Sequence, residues 1–398
     1  VVEKLVYRWH YESEEAVLNK IREGNPGWMQ DDGSCSRCVD YYQIRLRQQN
    51  GLIPEAGPFF SIKSVDDFLI LPTAVRLDAD PRYTGKGVTI CFIDSGFTLH
   101  PDLMKRQQRV KVMVDVTGEK TKTVSSLESM KRWVKKQKPS SIWHGTMTTC
   151  ACAGDGFLSR GLYKGIASDA ELVLIRTMDE NNHITSQSIV KALLWVKKNH
   201  RKYNIRIVNM SLGDDVPASF RQSRIDALAE ELVEKGITIV AAVGNEAGAA
   251  IKPPANSPQV IAVGGLDDEN KLNGESKQLY HSAFGKTIDN LSKPDLIAPA
   301  IWVAVPIPHS TIEFEESQTL YELWQAKDEE LLPELKKKII RTRLDKDLTR
   351  EINPAIIREK LLSRIQQCKY VSANYQHVDG TSFAAPIVCS VIAQLLEI

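Results

Sequence analysis

From residue 87 onward the chain alternates short apolar runs with amphipathic stretches. Residues 88–93, 172–175, 205–210, 237–243 and 260–263 are mostly β-branched and of strand length, the pattern of strands buried on both faces. Between them, 186–199 carries Ile189, Leu193 and Leu194 at helical spacing. In 219–235, Ile225, Leu228 and Leu232 do the same, and Gly236 ends that helix. Such alternation predicts an α/β fold, a parallel sheet with helices on both faces. In these sheets functional groups collect at the carboxyl ends of the strands and at the helix starts beyond them.

Three segments stand outside that pattern. Residues 1–70 read as an N-terminal accessory segment ahead of a main domain over 71–398. Within it, Cys35-Ser36-Arg37-Cys38 supplies two of the four ligands of a tetrahedral zinc site, with His10 and Cys368 as the other candidates, or is a plain loop with two thiols. An insertion at about 117–140 includes a short surface helix, 126–138, whose Lys131, Arg132, Lys135, Lys136 and Lys138 form a solvated basic face or meet an acidic partner. A second insertion, 306–369, repeats Leu320, Leu323, Trp324, Leu331, Leu332, Leu335, Ile339 and Ile340 at roughly helical spacing and reads as two or more amphipathic helices. It is decoration on the outside, or a lid, inhibitory element or docking platform for a regulatory protein partner.

Composition narrows the classes. The 398 residues carry a net charge of +1, and no basic stretch is interleaved with aromatics, so no nucleic-acid partner is expected. No apolar run reaches the roughly eighteen residues of a membrane span, so no membrane partner is expected either. Of seven cysteines, Cys91, Cys150, Cys152 and Cys389 fall at expected core positions, unlike an extracellular disulfide framework. A reducing, cytoplasmic compartment is the expectation. The start at Val1 and the stop one helix beyond Ser382 suggest a piece of a longer protein.

Chemistry concentrates in Ile93-Asp94-Ser95-Gly96, Trp143-His144-Gly145-Thr146 and Gly380-Thr381-Ser382-Phe383-Ala384-Ala385-Pro386. A serine hydroxyl becomes a nucleophile when an imidazole takes its proton, and that imidazole needs a carboxylate to fix its tautomer. Ser382, His144 and Asp94 are candidates for those roles.

These motifs resemble those of the subtilisin-like serine proteases, whose chain order is also Asp, His, Ser. The resemblance covers roughly 72–302 and 370–398. It implies a subtilisin-like parallel sheet, with His144-Gly145-Thr146 at a helix start and Ser382 opening another helix. Ala241-Ala242-Val243-Gly244-Asn245-Glu246 resembles the oxyanion-hole segment, giving Asn245 the role of amide donor and Ala242, Val243 and Gly244 a substrate-binding role. Ile207-Val208-Asn209-Met210-Ser211-Leu212-Gly213 resembles the edge strand that pairs with an extended substrate, so Asn209, Met210, Ser211, Leu212 and Gly213 are substrate-binding candidates.

The resemblance implies a serine endopeptidase acting on protein or peptide substrates with no organic cofactor. Two alternatives stand beside it: a subtilisin-like macrocyclase or transamidase, and an inactive protease fold used for binding. Calcium occurs in many relatives, but the loop 155–161 shows no ligand pattern for it. Met147 and Phe383 depart from the common motifs, and a ring at Phe383 is expected to narrow the leaving-group side of the cleft. Asp214, Asp215 and Glu246 are exposed turn carboxylates, or favour a basic substrate side chain.

Overall fold

The structure, a computed structural model, describes residues 11–29, 70–271 and 278–398, together with 41, 42, 45, 46 and 49. The possible zinc ligands Cys35, Cys38 and His10 lie outside the described residues.

The strands of the main sheet are β1 (Thr89–Asp94), β2 (Val110–Asp115), β3 (Lys122–Val124), β4 (Glu171–Arg176), β5 (Ile205–Met210), β6 (Thr238–Ala242), β7 (Ile261–Asp267) and β8 (Gln278–Leu279). After a small hairpin of β9 (Gly285–Lys286) and β10 (Ser292–Lys293), β11 (Leu296–Pro299) completes it. The order across the sheet is β11-β7-β6-β5-β1-β4-β2-β3, with β8 beside β7. From β11 to β2 every pairing is parallel, while β3 and β8 are antiparallel. The five strands expected from β-branched runs are present. Strand β2 escaped that reading because Lys111 and the flanking Arg109 interrupt its apolar run. The Arg109 guanidinium is buried only because it donates to the carbonyls of Asp102 and Ala170, at 2.9 and 3.2 Å.

Before the sheet lies α1 (Tyr11–Gly24), and on or around it α2 (Leu127–Val134), α3 (Pro139–Ala153), α4 (Ser186–Tyr203) and α5 (Arg224–Val233). Successive strand residues face opposite sides, which divides the core in two. Ile90 and Phe92 of β1 join Met147 of α3 and Ala384 and Ile387 of the last helix. Cys91 and Ile93 join Leu193 of α4 and Leu228 of α5. Every residue of β1 is buried, so the carboxyl end of a central strand delivers Asp94 to the edge of the core with little freedom to move.

Helices α6 (Ile312–Gln325), α7 (Asp328–Lys338) and α8 (Pro354–Gln367) lie between β12 (Val303–Pro306) and β13 (Tyr370–Ser372). They bury a third core of their own, including Leu320, Leu323, Leu331, Leu335, Ile357 and Leu361. At its edge the buried Glu316 carboxylate is neutralised by Arg364, at 2.8 Å, and accepts the Tyr370 hydroxyl at 3.0 Å. Strand β14 (Tyr375–Val378) pairs antiparallel with both β12 and β13 and leads into α9 (Thr381–Glu397). The buried Tyr375 hydroxyl donates to Asp102, so the chain returning from the helices is tied to the main domain just before the nucleophile motif.

One buried acid has no part in the site. Asp226, in the first turn of α5, is fully buried, and that burial pushes its carboxyl up to about 7 despite the neighbouring Ser223 and Asn256. With the folded pKa above the unfolded value, the folded state holds a proton that the unfolded chain releases. Stability from this group is therefore lost as pH rises from about 4 to about 7, a penalty on the order of 4 kcal/mol when complete. Asp226→Asn is expected to melt higher than the parent by a margin that widens over that pH range and then stays level. Thermal denaturation at several pH values checks it, and a constant margin would show that the carboxylate is not desolvated.

Candidate active site

Three elements bring the chemistry together. Asp94 ends β1 and is 1% exposed. Its Oδ1 accepts from the Ser95 N–H at 2.6 Å and lies 2.7 Å from His144 Nδ1, and its Oδ2 accepts from the Thr148 hydroxyl at 3.1 Å. A carboxylate held at both oxygens cannot turn away, so it selects the tautomer with the proton on Nδ1 and leaves Nε2 free to accept a proton. Burial pulls the His144 pKa down, but the charge of Asp94 and the hydrogen bond to it outweigh that and leave it raised above the ordinary value.

Close approach explains the glycines that follow the acid and the base. A Cβ on Gly145 would sit 2.3 Å from the Gly96 carbonyl oxygen, and one on Gly96 would sit 2.6 Å from the Ser141 carbonyl oxygen. Only bare backbone lets α3 come near enough to the end of β1 for the bond between Asp94 and His144. His144 itself is not at a helix start as the motif suggested. Helix α3 begins five residues earlier, because Pro139 at its first position has the fixed φ that starts a helix.

Ser382 lies in the first turn of α9, where its N–H has no helical acceptor. Its hydroxyl donates to the Ser211 carbonyl at 3.3 Å, and the Ser211 hydroxyl donates back to the Ser382 carbonyl at 2.7 Å. Behind this pair, Asn209 Nδ2 donates to Ser211 Oγ at 3.0 Å, and Cys389 Sγ lies 3.6 Å from Asn209 Oδ1.

Asn245 is exposed, yet its amide is oriented. Oδ1 accepts from both the Thr381 N–H at 2.7 Å and the Thr381 hydroxyl at 2.9 Å, which leaves Nδ2 to donate elsewhere. Gly244 holds φ +105°, a conformation that turns the chain after β6 and suits glycine alone. His281 adds a further tie, with its Nδ1 2.7 Å from the Asn245 carbonyl oxygen.

Several expectations are corrected. The segment 207–213 is not an edge strand: its part in β5 pairs with β1 on one side and β6 on the other, and Asn209 and Met210 are fully buried. Neither can pair with a substrate. Asn209 supports Ser211, Met210 fills the core, and only Ser211, Leu212 and Gly213 leave the sheet. Val243 is likewise buried in the core, while Ala242 is half-buried and Gly244 exposed. Phe383 does not narrow the cleft. It is 3% exposed, and its ring braces the imidazole with centroids 5.9 Å apart. Met147 is buried as well, beside the Gln376 amide. The half-exposed ring beside His144 belongs to Trp143, which is perpendicular to the imidazole at 5.3 Å.

The loop 155–161 contributes one acid, Asp155, and Asp102 lies beside it. Asp155 accepts from the Phe157 N–H, and Asp102 accepts from the Leu158 N–H and the Tyr375 hydroxyl, with the Arg109 guanidinium alongside Asp155. Asp155 Oδ2 is buried with no hydrogen-bond partner among the described residues. Among the described residues no group of three or more His, Cys, Asp or Glu is placed to hold a metal, and no helix is long and apolar enough to cross a membrane.

The site thus gathers an acid at the end of β1, an imidazole in α3 and a serine in the first turn of α9, with the Asn245 amide tied to Thr381 beside that serine. The chain belongs to the subtilase family, whose model matches residues 85–398. Serine protease AprX of Bacillus subtilis (strain 168) is 29% identical over 240 residues, 58% of this chain and 50% of AprX. Subtilisin BL of Lederbergia lenta is 24% identical over 229 residues, 57% of this chain and 69% of that protein. Among solved structures, sphericase is 21% identical with a TM-score of 0.49, over 78% of this chain and 77% of sphericase. The chain thus matches only about half the length of AprX.

Proposed function

We propose that this protein is a serine endopeptidase in which Ser382 is the nucleophile, His144 the general base and acid, and Asp94 the group that orients His144. The observation that carries the reading is the 2.7 Å contact from Asp94 Oδ1 to His144 Nδ1, within an acid whose two oxygens are both held.

An extended peptide pairs with the backbone of 211–213 as that segment leaves β5. Ser382 Oγ turns from the Ser211 carbonyl toward His144 Nε2, gives up its proton there and attacks the substrate carbonyl carbon. The charge that develops on the carbonyl oxygen is met by Asn245 Nδ2 and the Ser382 N–H. The C–N bond breaks as His144 returns the proton to the leaving amine. Water, deprotonated by His144, then opens the ester and frees Ser382. Every proton has a side-chain carrier, so no organic cofactor is needed.

A fluorophosphonate probe is expected to label Ser382, located by peptide mapping, and to fail with Ser382→Ala and His144→Ala. Mass spectrometry of peptide products separates hydrolysis from ligation, since a cyclised or ligated product would replace this reading with the transamidase one. Loss of the Asn245 amide tests the oxyanion role. Asn245→Ala is expected to lower kcat by about 10²–10³ with KM little changed, because the lost bond forms only in the transition state. Equal losses in binding and turnover would instead make Asn245 a ground-state contact.

A further inference from the structure

The basic insertion beside His144 has a shape and a charge imbalance that the reaction leaves unused. Residues 117–140 hold seven Lys or Arg against two Glu, in a chain whose net charge is +1. Helix α2 and the turn after it place four of those seven cations on one face. Its Ser126 cap accepts from the Ser129 N–H at 3.3 Å, Met130 is fully buried, and Trp133 and Val134 pack against the core. The opposite face leaves Lys131, Arg132, Lys135 and Lys136 exposed. Lys131 pairs with Glu128 at 3.0 Å, whereas Arg132, Lys135 and Lys136 form no ion pair among the described residues. The basic end of α7 differs, for Lys337 and Lys338 there both pair with Glu334.

The surface is also anchored at the cleft. Gln137 Nε2 donates to the Phe97 carbonyl at 3.3 Å, three residues past Asp94, and Lys138 Nζ donates to the Glu180 carbonyl at 2.9 Å. Helix α3 then carries the chain from Pro139 to His144 at about 1.5 Å per residue. With the reach of the lysine side chains, the unpaired cations lie about 10–20 Å from the imidazole. An extended polypeptide covers about 3.3 Å per residue, so that gap is roughly three to six residues of substrate.

We propose that the outward face of α2 and the turn after it form a docking surface for an acidic stretch of the polypeptide substrate, three to six residues from the scissile bond. The proposal rests on the endopeptidase reading for the identity of the occupant. Unpaired cations at the cleft concentrate and orient an acidic chain, and salt screens the attraction because the groups are exposed.

The test uses the Ser382→Ala protein and fluorescent peptides of one length, each with a block of Glu or of Gln placed at that distance on either side of a common core. Fluorescence anisotropy is expected to give about 10-fold tighter binding for Glu than for Gln on one side in low salt, shrinking several-fold as salt is raised. Adding R132E, K135E and K136E is expected to abolish the Glu preference while leaving affinity for the Gln peptides unchanged. With Ser382 intact, the triple reversal is expected to keep probe labelling and hydrolysis of the Gln peptides. No preference on either side, no measurable binding of the Glu peptides, or a preference that survives charge reversal would each overturn the proposal. So would a single-stranded oligonucleotide that displaces the Glu peptide at lower concentration than the peptide's own Kd, which would assign the surface to nucleic acid. A Glu preference in a protein that hydrolyses neither peptide would uphold docking and count against the endopeptidase reading alone.

Discussion

Ser382→Ala is expected to lower peptide hydrolysis by about 10⁶-fold in kcat, with His144→Ala costing about as much and the double variant little more. The expectation follows from the roles proposed for the two groups. Without the hydroxyl there is no ester to form, and without the imidazole the hydroxyl keeps its proton, so each loss removes the same pathway. What survives is catalysis by the oxyanion donors and by substrate positioning alone. Neither change should unfold the protein. The Ser382 hydroxyl makes one bond, to the Ser211 carbonyl, and the buried Ser211 hydroxyl keeps its own bond to the Ser382 carbonyl when Oγ is gone. Single-turnover and steady-state kinetics beside thermal melts separate these effects. Residual activity within about 100-fold of the parent in a well-folded variant would mean that another group attacks the substrate.

Much of the site is legible in the chain because its motifs encode backbone constraints as well as reactive groups. The glycines after Asp94 and His144 mark where β1 and α3 approach within contact of bare backbone, and the positive φ of Gly244 marks the turn that presents Asn245. Such needs are local, and residue identity reports them directly. The supports are less legible because they act across long sequence separations. Thr148 reaches Asp94 Oδ2 and the Gly145 carbonyl from one turn beyond His144, and nothing in the sequence distinguishes it from Thr149, which reaches the Gly145 carbonyl but not Asp94. His281, 36 residues past Asn245, lies in no motif, yet it reaches that residue's carbonyl because Ala283 N–H pairs with the Gly244 carbonyl at 3.1 Å.

Sheet order misled in the same way. Residues 207–213 mix apolar and polar positions to their end, so the sequence does not say where along them β6 stops covering the chain. The pairing of Met210 with Ala241 puts that limit one residue before Ser211. Of the substrate-binding candidates on this segment, Asn209 and Met210 are therefore covered on both sides, and only Ser211, Leu212 and Gly213 run past the sheet. For Phe383 the sequence shows a bulky ring next to Ser382 but not which way that ring turns from the helix start. Phe383 turns its ring into the core, against the His144 imidazole.

The pH dependence gives the second large effect. The base must be neutral to accept the Ser382 proton, and Asp94 raises the His144 pKa above its ordinary value of about 6.5. In the parent, kcat/KM is therefore expected to rise with pH through a pKa above that value, and to be lost as the imidazole protonates below it. Asp94→Asn removes the charge that stabilises the imidazolium and leaves the burial that opposes it. The His144 pKa should fall, and the ascending limb should move to lower pH. Yet the rate at its plateau should drop by about 10⁴, because an amide that donates to Nδ1 puts the imidazole proton on Nε2, where the base is needed. The two outcomes pull against each other, a better-deprotonated histidine and a slower enzyme, and only an acid that fixes the tautomer produces both. NMR titration of the His144 ring beside the kcat/KM profile reads them separately. A lower pKa with the plateau unchanged would reduce Asp94 to a bystander charge, and a slow variant whose pKa stays raised would place the stabilising charge elsewhere.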